Sequence, residues 1–245
     1  MSIDATSDRT SFEKADLDSP THTSSLQKTF EISGTKLARG SIGGINGIGN
    51  SAIDAKTHAI YLSQMSQSHH IDWVHNRSHS IPVDLLESVV FNYKGISSPA
   101  KELQANWIKF HEEHRNDPDA KYLQFCHSQG AIHVRNALQK TPQEIRNRII
   151  VVAIAPGTVV PKNLCFASFN YASKQDLIPY GEAAFKYDAD APYEDRMTEP
   201  SRVALKELTL LAPHPAAPLL DHNFDSPTFK KVISDHLENY IKQYG

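Results

Sequence analysis

Cysteine is almost missing from this chain, with two in 245 residues, Cys126 and Cys165. Each falls inside or beside an apolar run, so both read as buried thiols, and neither a disulfide framework nor a cysteine-rich zinc site is available. That usage fits a reducing compartment and gives a cytoplasmic expectation. An excess of one charge is also lacking. With 25 basic and 28 acidic side chains the formal net charge is −3, which gives no electrostatic reason to expect nucleic acid as a partner. Long apolar runs are absent too, since nothing approaches the roughly 18 to 20 consecutive residues that span a bilayer. The opening MSIDATSDRTSFEKADLDSP has no apolar centre of the kind a signal peptide needs. Residues 1–27 hold few large apolar side chains and much Ser, Thr and Asp, which predicts a flexible polar tail ahead of a fold over residues 28–245.

What is present is the composition of an ordinary globule, 40% hydrophobic and 22% charged, of a size for one α/β domain and short for two cores. The pattern predicts strands over Phe30 to Leu37, within Gly40 to Ile48, over Ile71 to His75, from Lys121, over Arg148 to Ile154, Leu164 to Tyr171 and Ala204 to Leu211. Helices are predicted over Ser51 to Gln67, Pro82 to Tyr93, Ala100 to His114, after Ser128, and over Thr228 to Tyr240. Strands alternating with helices imply a mostly parallel sheet covered on both faces. The apolar Pro82 to Tyr93 segment reads as core packing rather than a lipid-facing lid.

Within KYLQFCHSQGAIHVRNALQK, Lys121 to Lys140, an apolar strand runs directly into a helical pattern. A serine on so sharp a turn is the arrangement of the G-x-S-x-G nucleophile elbow, in which small neighbours let strand and helix approach. Gly130 matches that pattern and Cys126 stands where glycine is usual. The plainer alternative is that Ser128 caps the helix and Gly130 relieves the turn.

If Ser128 is a nucleophile, its partners belong at the ends of later strands, in the chain order Ser, Asp, His. Asp176 follows an apolar strand just before Leu-Ile-Pro, where a carboxylate can orient an imidazole; alone it reads equally as a turn residue. Asp188, Asp190 and Asp195 read as solvated charges. For the base there are His222, shortly before the Ser226-Pro227 helix start, and His214, between two prolines, with His222 preferred and His214 the alternative. An oxyanion hole would take one N–H from Gln129 and another from the turn near Gly47 and Ile48.

That turn also supports a rival. Gly47-Ile-Gly49-Asn-Ser-Ala52 satisfies the dinucleotide fingerprint G-x-G-x-x-A, with Asp72 about 20 residues on as a ribose ligand; but that acid should end a strand, and Asp72 sits near the start of one. Among the histidines at 69, 70, 75, 79, 111 and 114, the pair in His111-Glu-Glu-His114 lacks the H-E-x-x-H spacing and reads as solvated, and no metal and no cofactor is expected. His133 receives no role.

The elbow, the upstream Gly-rich turn and the late Asp and His together resemble the α/β-hydrolase superfamily over about Phe30 to Tyr244. That resemblance implies a three-layer sandwich on an eight-stranded, mostly parallel sheet, and carries over Ser128, Asp176 and His222. It implies a serine hydrolase acting on a small or lipid-like ester or thioester, or else a binding module that keeps the fold without turnover. Phrases such as HNRSHSIPVDLLE, ELQANWIKFHEEH and FCHSQGAIHVRNAL are similar to an uncharacterised chlamydial family of unknown function. Membership there implies a protein secreted into a host cell without a standard signal peptide, with a host protein as target.

Overall fold

The computed structural model describes residues 28–77, 96–176, 178 and 206–245. Thr29–Ile32 (β1), Gly40–Ile45 (β2), Ile71–Val74 (β3), Lys121–Ser128 (β4), Ile149–Pro156 (β5), Ala167–Ser173 (β6) and Leu208–Leu211 (β7) form one sheet. Its order is β1-β3-β2-β4-β5-β6-β7. β1 is antiparallel to β3, and every other neighbouring pair is parallel. Parallel neighbours need crossover connections, and these are where the helices lie, save the last, which follows β7. They are Ala52–Met65 (α1), Ser98–Glu113 (α2), Gln129–Gln139 (α3), the short Gln143–Arg146 (α4) and Pro227–Tyr244 (α5).

The central strands explain the layering. All eight residues of β4 are buried, and alternate side chains serve opposite faces. Tyr122 and Cys126 pack with Trp107 and Phe110 of α2 and Val134 and Leu138 of α3. Leu123 and Phe125 pack with Ala59 and Leu62 of α1 and with Phe229 and Ile233 of α5. On α5 the buried positions Phe229, Ile233, Leu237 and Tyr240 step by four, four and three, a stripe along one side of a helix. Each such buried side chain contributes roughly 1.5–3 kcal/mol of transfer free energy. Helices on both faces of a mostly parallel sheet make a three-layer sandwich.

Local chemistry sets the helix starts. Ser51 and Asp54 form a reciprocal capping box at α1, Ser97 accepts from the Ala100 N–H at α2, and Ser226 with Pro227 opens α5, the last as the sequence predicts.

The structure differs from the expected elements at several edges. The first strand covers Thr29–Ile32 only, and Thr35 makes an isolated bridge to His69. The expected start of a strand at Leu164 is a 3₁₀ turn, Lys162–Leu164, and β6 begins at Ala167. α4 was not expected; four residues carry no period to read. Seven strands lie among the described residues, against the eight that the resemblance implies. The Pro82 to Tyr93 helix, His79, and Asp188, Asp190 and Asp195 fall outside the described residues. Among the described residues no helix is long and apolar enough to cross a membrane.

Candidate active site

The C-terminal ends of β2, β4 and β6 carry the side chains singled out in the sequence. β4 ends at Ser128, whose backbone has φ 51 and ψ −124, a left-handed geometry that a residue with a Cβ adopts only under constraint. The β4–β5 register shifts between His127 and Ser128, and the Gly157 N–H donates to the Ser128 carbonyl at 2.8 Å. Ser128 makes no side-chain cap to α3, so the plainer reading of this serine as a helix cap does not hold. A Cβ on Gly130 would meet the Asn46 carbonyl oxygen at 2.9 Å and that of Ile45 at 3.0 Å, which is why the helix can start so close to β2 only with glycine there.

The hydroxyl of Ser128 lies 2.9 Å from His222 Nε2, and His222 Nδ1 lies 2.8 Å from Asp176 Oδ2. An ionised carboxylate only accepts, so Nδ1 carries the hydrogen, Nε2 presents its lone pair, and the Ser128 hydroxyl donates to it. Asp176 is buried, and its second oxygen accepts the Ile178 N–H at 3.0 Å. His222 is thus brought to Ser128 across 94 positions, and Asp176 to His222 across 46.

His214 is not in this chain of hydrogen bonds. Its N–H donates to Thr228 Oγ1 and its Nδ1 accepts the Ala216 N–H, so the alternative base is a residue of its own turn. Thr228 in turn donates to Asp221, as does Ser226. Asp221 is fully buried and immediately precedes His222, so this cluster moors the loop that carries the imidazole.

His127 supplies a second mooring. Its Nε2 lies 2.7 Å from the His222 carbonyl oxygen, which only accepts, so Nε2–H donates. Burial, followed by the neighbouring His222, holds the His127 imidazole well below the ordinary histidine range and therefore neutral. Neither Asp221 nor His127 was identified from sequence; the only available signal was adjacency, His127 before Ser128 and Asp221 before His222.

The turn after β2 lies against the serine. A Cβ on Gly47 would meet Ser128 Cβ at 2.7 Å and Oγ at 3.2 Å, so only glycine admits this backbone approach. Among the described residues, neither the Gln129 N–H at the start of α3 nor the Ile48 N–H has an acceptor.

The dinucleotide reading of the same turn loses its acid. Asp72 is the second residue of β3, opposite Gly43 and Glu31, and accepts from the Tyr122 hydroxyl at 3.3 Å. That is the starting end of the parallel strands, away from the turn at Gly47. Glu31, His70 and Asp72 each place one ligand atom within 4.8 Å of the others, a set able to approach a metal, but at that same far end of the sheet. Cys126 and Cys165 are free thiols, and burial pushes both up. His133 joins α3 to the cap of α2 through Ser97 Oγ, 2.9 Å from its Nδ1.

Among solved structures the chain is similar to a carboxylesterase from Bacillus cereus, at 15% identity over 89% of this chain and 95% of that one, with a TM-score of 0.48. It is also similar to a sugar hydrolase from Lactococcus lactis, at 16% identity over 89% and 94%, TM-score 0.46. A dienelactone hydrolase from Anabaena variabilis aligns at 14% identity over 84% and 87%, TM-score 0.42. By sequence, no curated protein matches. Residues 34–180, more than half of the chain, match one family throughout, and the chain belongs to it: the family described as protein of unknown function (DUF687).

Proposed function

We propose that the protein is a serine hydrolase that cleaves an ester or thioester through an acyl-enzyme on Ser128. The observation that carries this reading is the continuous path from Ser128 Oγ through both ring nitrogens of His222 to Asp176, at 2.9 and 2.8 Å, ending on a serine held in an elbow backbone. Hydrogen bonds of this length place the hydroxyl proton within reach of a general base.

Attack by Ser128 Oγ on the acyl carbon passes its proton to His222 Nε2. The imidazolium so formed is stabilised by the Asp176 carboxylate, which keeps its own charge. Negative charge gathers on the former carbonyl oxygen, and the N–H groups of Gln129 and Ile48 are the donors for it. Collapse expels the alcohol or thiol, which takes the proton from His222. Water, deprotonated by the same nitrogen, then releases the acid and restores the serine.

The test is a fluorophosphonate probe applied to the full-length protein, together with chromogenic esters of graded acyl length. Ser128 is expected to be the labelled residue, and Ser128→Ala to lose labelling and hydrolysis together. Labelling that survives in Ser128→Ala, or a wild type inert to the probe and to every ester, defeats the reading.

A further inference from the structure

Behind the elbow lies a buried amide network that the hydrolytic steps above do not use. Asn46, Asn76 and Gln129 are all at least 98% buried. The Asn46 side-chain amide donates to the Gly47 carbonyl at 2.9 Å and to the Asn76 carbonyl at 3.0 Å. Its oxygen accepts the Asn76 N–H at 3.0 Å and Trp73 Nε1 at 3.4 Å. Two donors and two lone pairs are the full capacity of an amide, so this side chain has one orientation available. The Asn76 amide continues the chain, donating to Gln129 Oε1 at 2.7 Å.

The network thus touches both segments whose N–H groups face no acceptor among the described residues. A peptide unit is planar and trans, so its carbonyl and its N–H point in opposite directions. Holding the Gly47 carbonyl on the Asn46 amide therefore turns the Ile48 N–H to the other side. At the far end, Asn76 fixes the Gln129 side chain at the first position of α3, where the Gln129 N–H leaves the helix unpaired.

We propose that Asn46 and Asn76 are positioning residues for an oxyanion hole, locking the Gly47–Ile48 peptide and Gln129 so that both N–H groups converge on the oxygen of the transition state. The proposal rests on the hydrolase reading above. Preorganised donors need no rearrangement as charge develops, and this is the usual source of their effect. Buried amides with every group satisfied are rigid, whereas a turn containing Gly47 and Gly49 is otherwise free to flip its peptides.

The experiment compares Asn46→Ala and Asn76→Ala with wild type on a chromogenic ester that wild type hydrolyses, after circular dichroism and thermal melting establish folding. Asn46→Ala releases the Gly47 carbonyl, and kcat is expected to fall on the order of 10²-fold, the usual loss for one oxyanion donor, with KM within a factor of about three. Asn76→Ala leaves the backbone partners of Asn46 in place and frees only Gln129, so its kcat is expected to fall by about tenfold. The acid limb of the pH–rate profile, which reports the base, is expected to stay where it is in both variants. A purely structural lesion moves KM and that limb as well.

Unchanged kcat in folded Asn46→Ala overturns the proposal while leaving the hydrolase reading intact. A wild type that neither hydrolyses esters nor labels at Ser128 removes both together. If Asn46→Ala does not fold, Asn76→Ala decides the matter: a lower kcat at unchanged KM supports the lock, and an unchanged kcat overturns it.

Discussion

The two halves of the candidate site are built by opposite means. Ser128 ends a strand whose eight residues are all buried, and its place is set by backbone: a left-handed φ, a register shift against β5 and a hydrogen bond from Gly157. His222 sits on a loop whose neighbours Leu219 and Leu220 are 85% and 67% exposed, and its place is set by side chains. Asp221 ties the loop to the start of α5, His127 holds its carbonyl, and Asp176 holds its ring. The comparison teaches that Ser128 is fixed by the cooperative core of the sheet, so losing one contact hardly moves it, whereas His222 depends on a few individually removable hydrogen bonds.

Among the variants that separate the two halves, the largest expected effect therefore lies on the loop side, in a residue that touches no reacting atom. Asp221→Ala removes the carboxylate that Ser226 and Thr228 donate to. Hydrogen bonds to a charged group contribute about 1.5–3 kcal/mol each, and an imidazole displaced by about 1 Å loses on the order of 10²-fold in rate. The expected outcome is a kcat lower by about that factor while the sheet stays folded, read by ester hydrolysis beside circular dichroism. Full activity in folded Asp221→Ala breaks the comparison, because His222 would then be held as redundantly as Ser128.

What the sequence disclosed follows the same division. The elbow was legible because it is local: an apolar run, a serine and a glycine within ten positions, and a helical period straight after. Asp176 and His222 were legible through chain order and through turn and helix-start chemistry nearby, Leu-Ile-Pro in one case and Ser226-Pro227 in the other. The moorings were not. Asp221 binds Ser226 and Thr228 within seven residues, yet an acid ahead of a capped helix looks like any first-turn charge. The amides of Asn46 and Asn76 meet across 30 positions, and no period or motif marks a polar side chain whose partners are backbone atoms of another loop. The sheet order was hidden for a related reason, since crossover connections leave no trace in alternation; and β1 was overextended to Leu37, an apolar residue past Ile32, the last one that pairs with β3.

Acid sensitivity is expected to separate the halves next, and it belongs to the elbow side. Burial pushes His133 down to about 4, and His127 is held well below the ordinary range by burial and by His222. Both flank Ser128 on β4 and α3. A histidine with a folded-state pKa below its unfolded value of about 6.5 is neutral in the fold, so the unfolded chain binds the proton first as the pH drops. The stability is complete above roughly pH 6.5 and is lost as pH falls from there toward about 4 for His133. From pH 7 to pH 5 that histidine alone accounts for about 2 kcal/mol. Urea unfolding at the two pH values is expected to show His133→Gln losing less stability on acidification than wild type by about that amount. Equal losses in both proteins place the acid sensitivity elsewhere.

The smallest effect bears most directly on the difference between the halves, because it isolates backbone strain from every side-chain contact. Ser128→Ala and Ser128→Gly both remove the hydroxyl that donates to His222, so the difference between them reads the Cβ alone. At φ 51 and ψ −124 a Cβ costs roughly 1–3 kcal/mol, while glycine loses about 1 kcal/mol more chain entropy than alanine on folding. Ser128→Gly is therefore expected to be more stable than Ser128→Ala by about 1 kcal/mol, measured by urea denaturation. The matched pair on the loop is His222→Gly and His222→Ala. His222 is not among the residues with positive φ, so there glycine is expected to be the less stable, by up to about 1 kcal/mol, because entropy acts with no strain to oppose it. Opposite signs at the two positions are what a strained Ser128 and an unstrained His222 require. The same sign at both means that the elbow holds its serine without storing strain, and the contrast between a backbone-set and a side-chain-set half is then lost at Ser128.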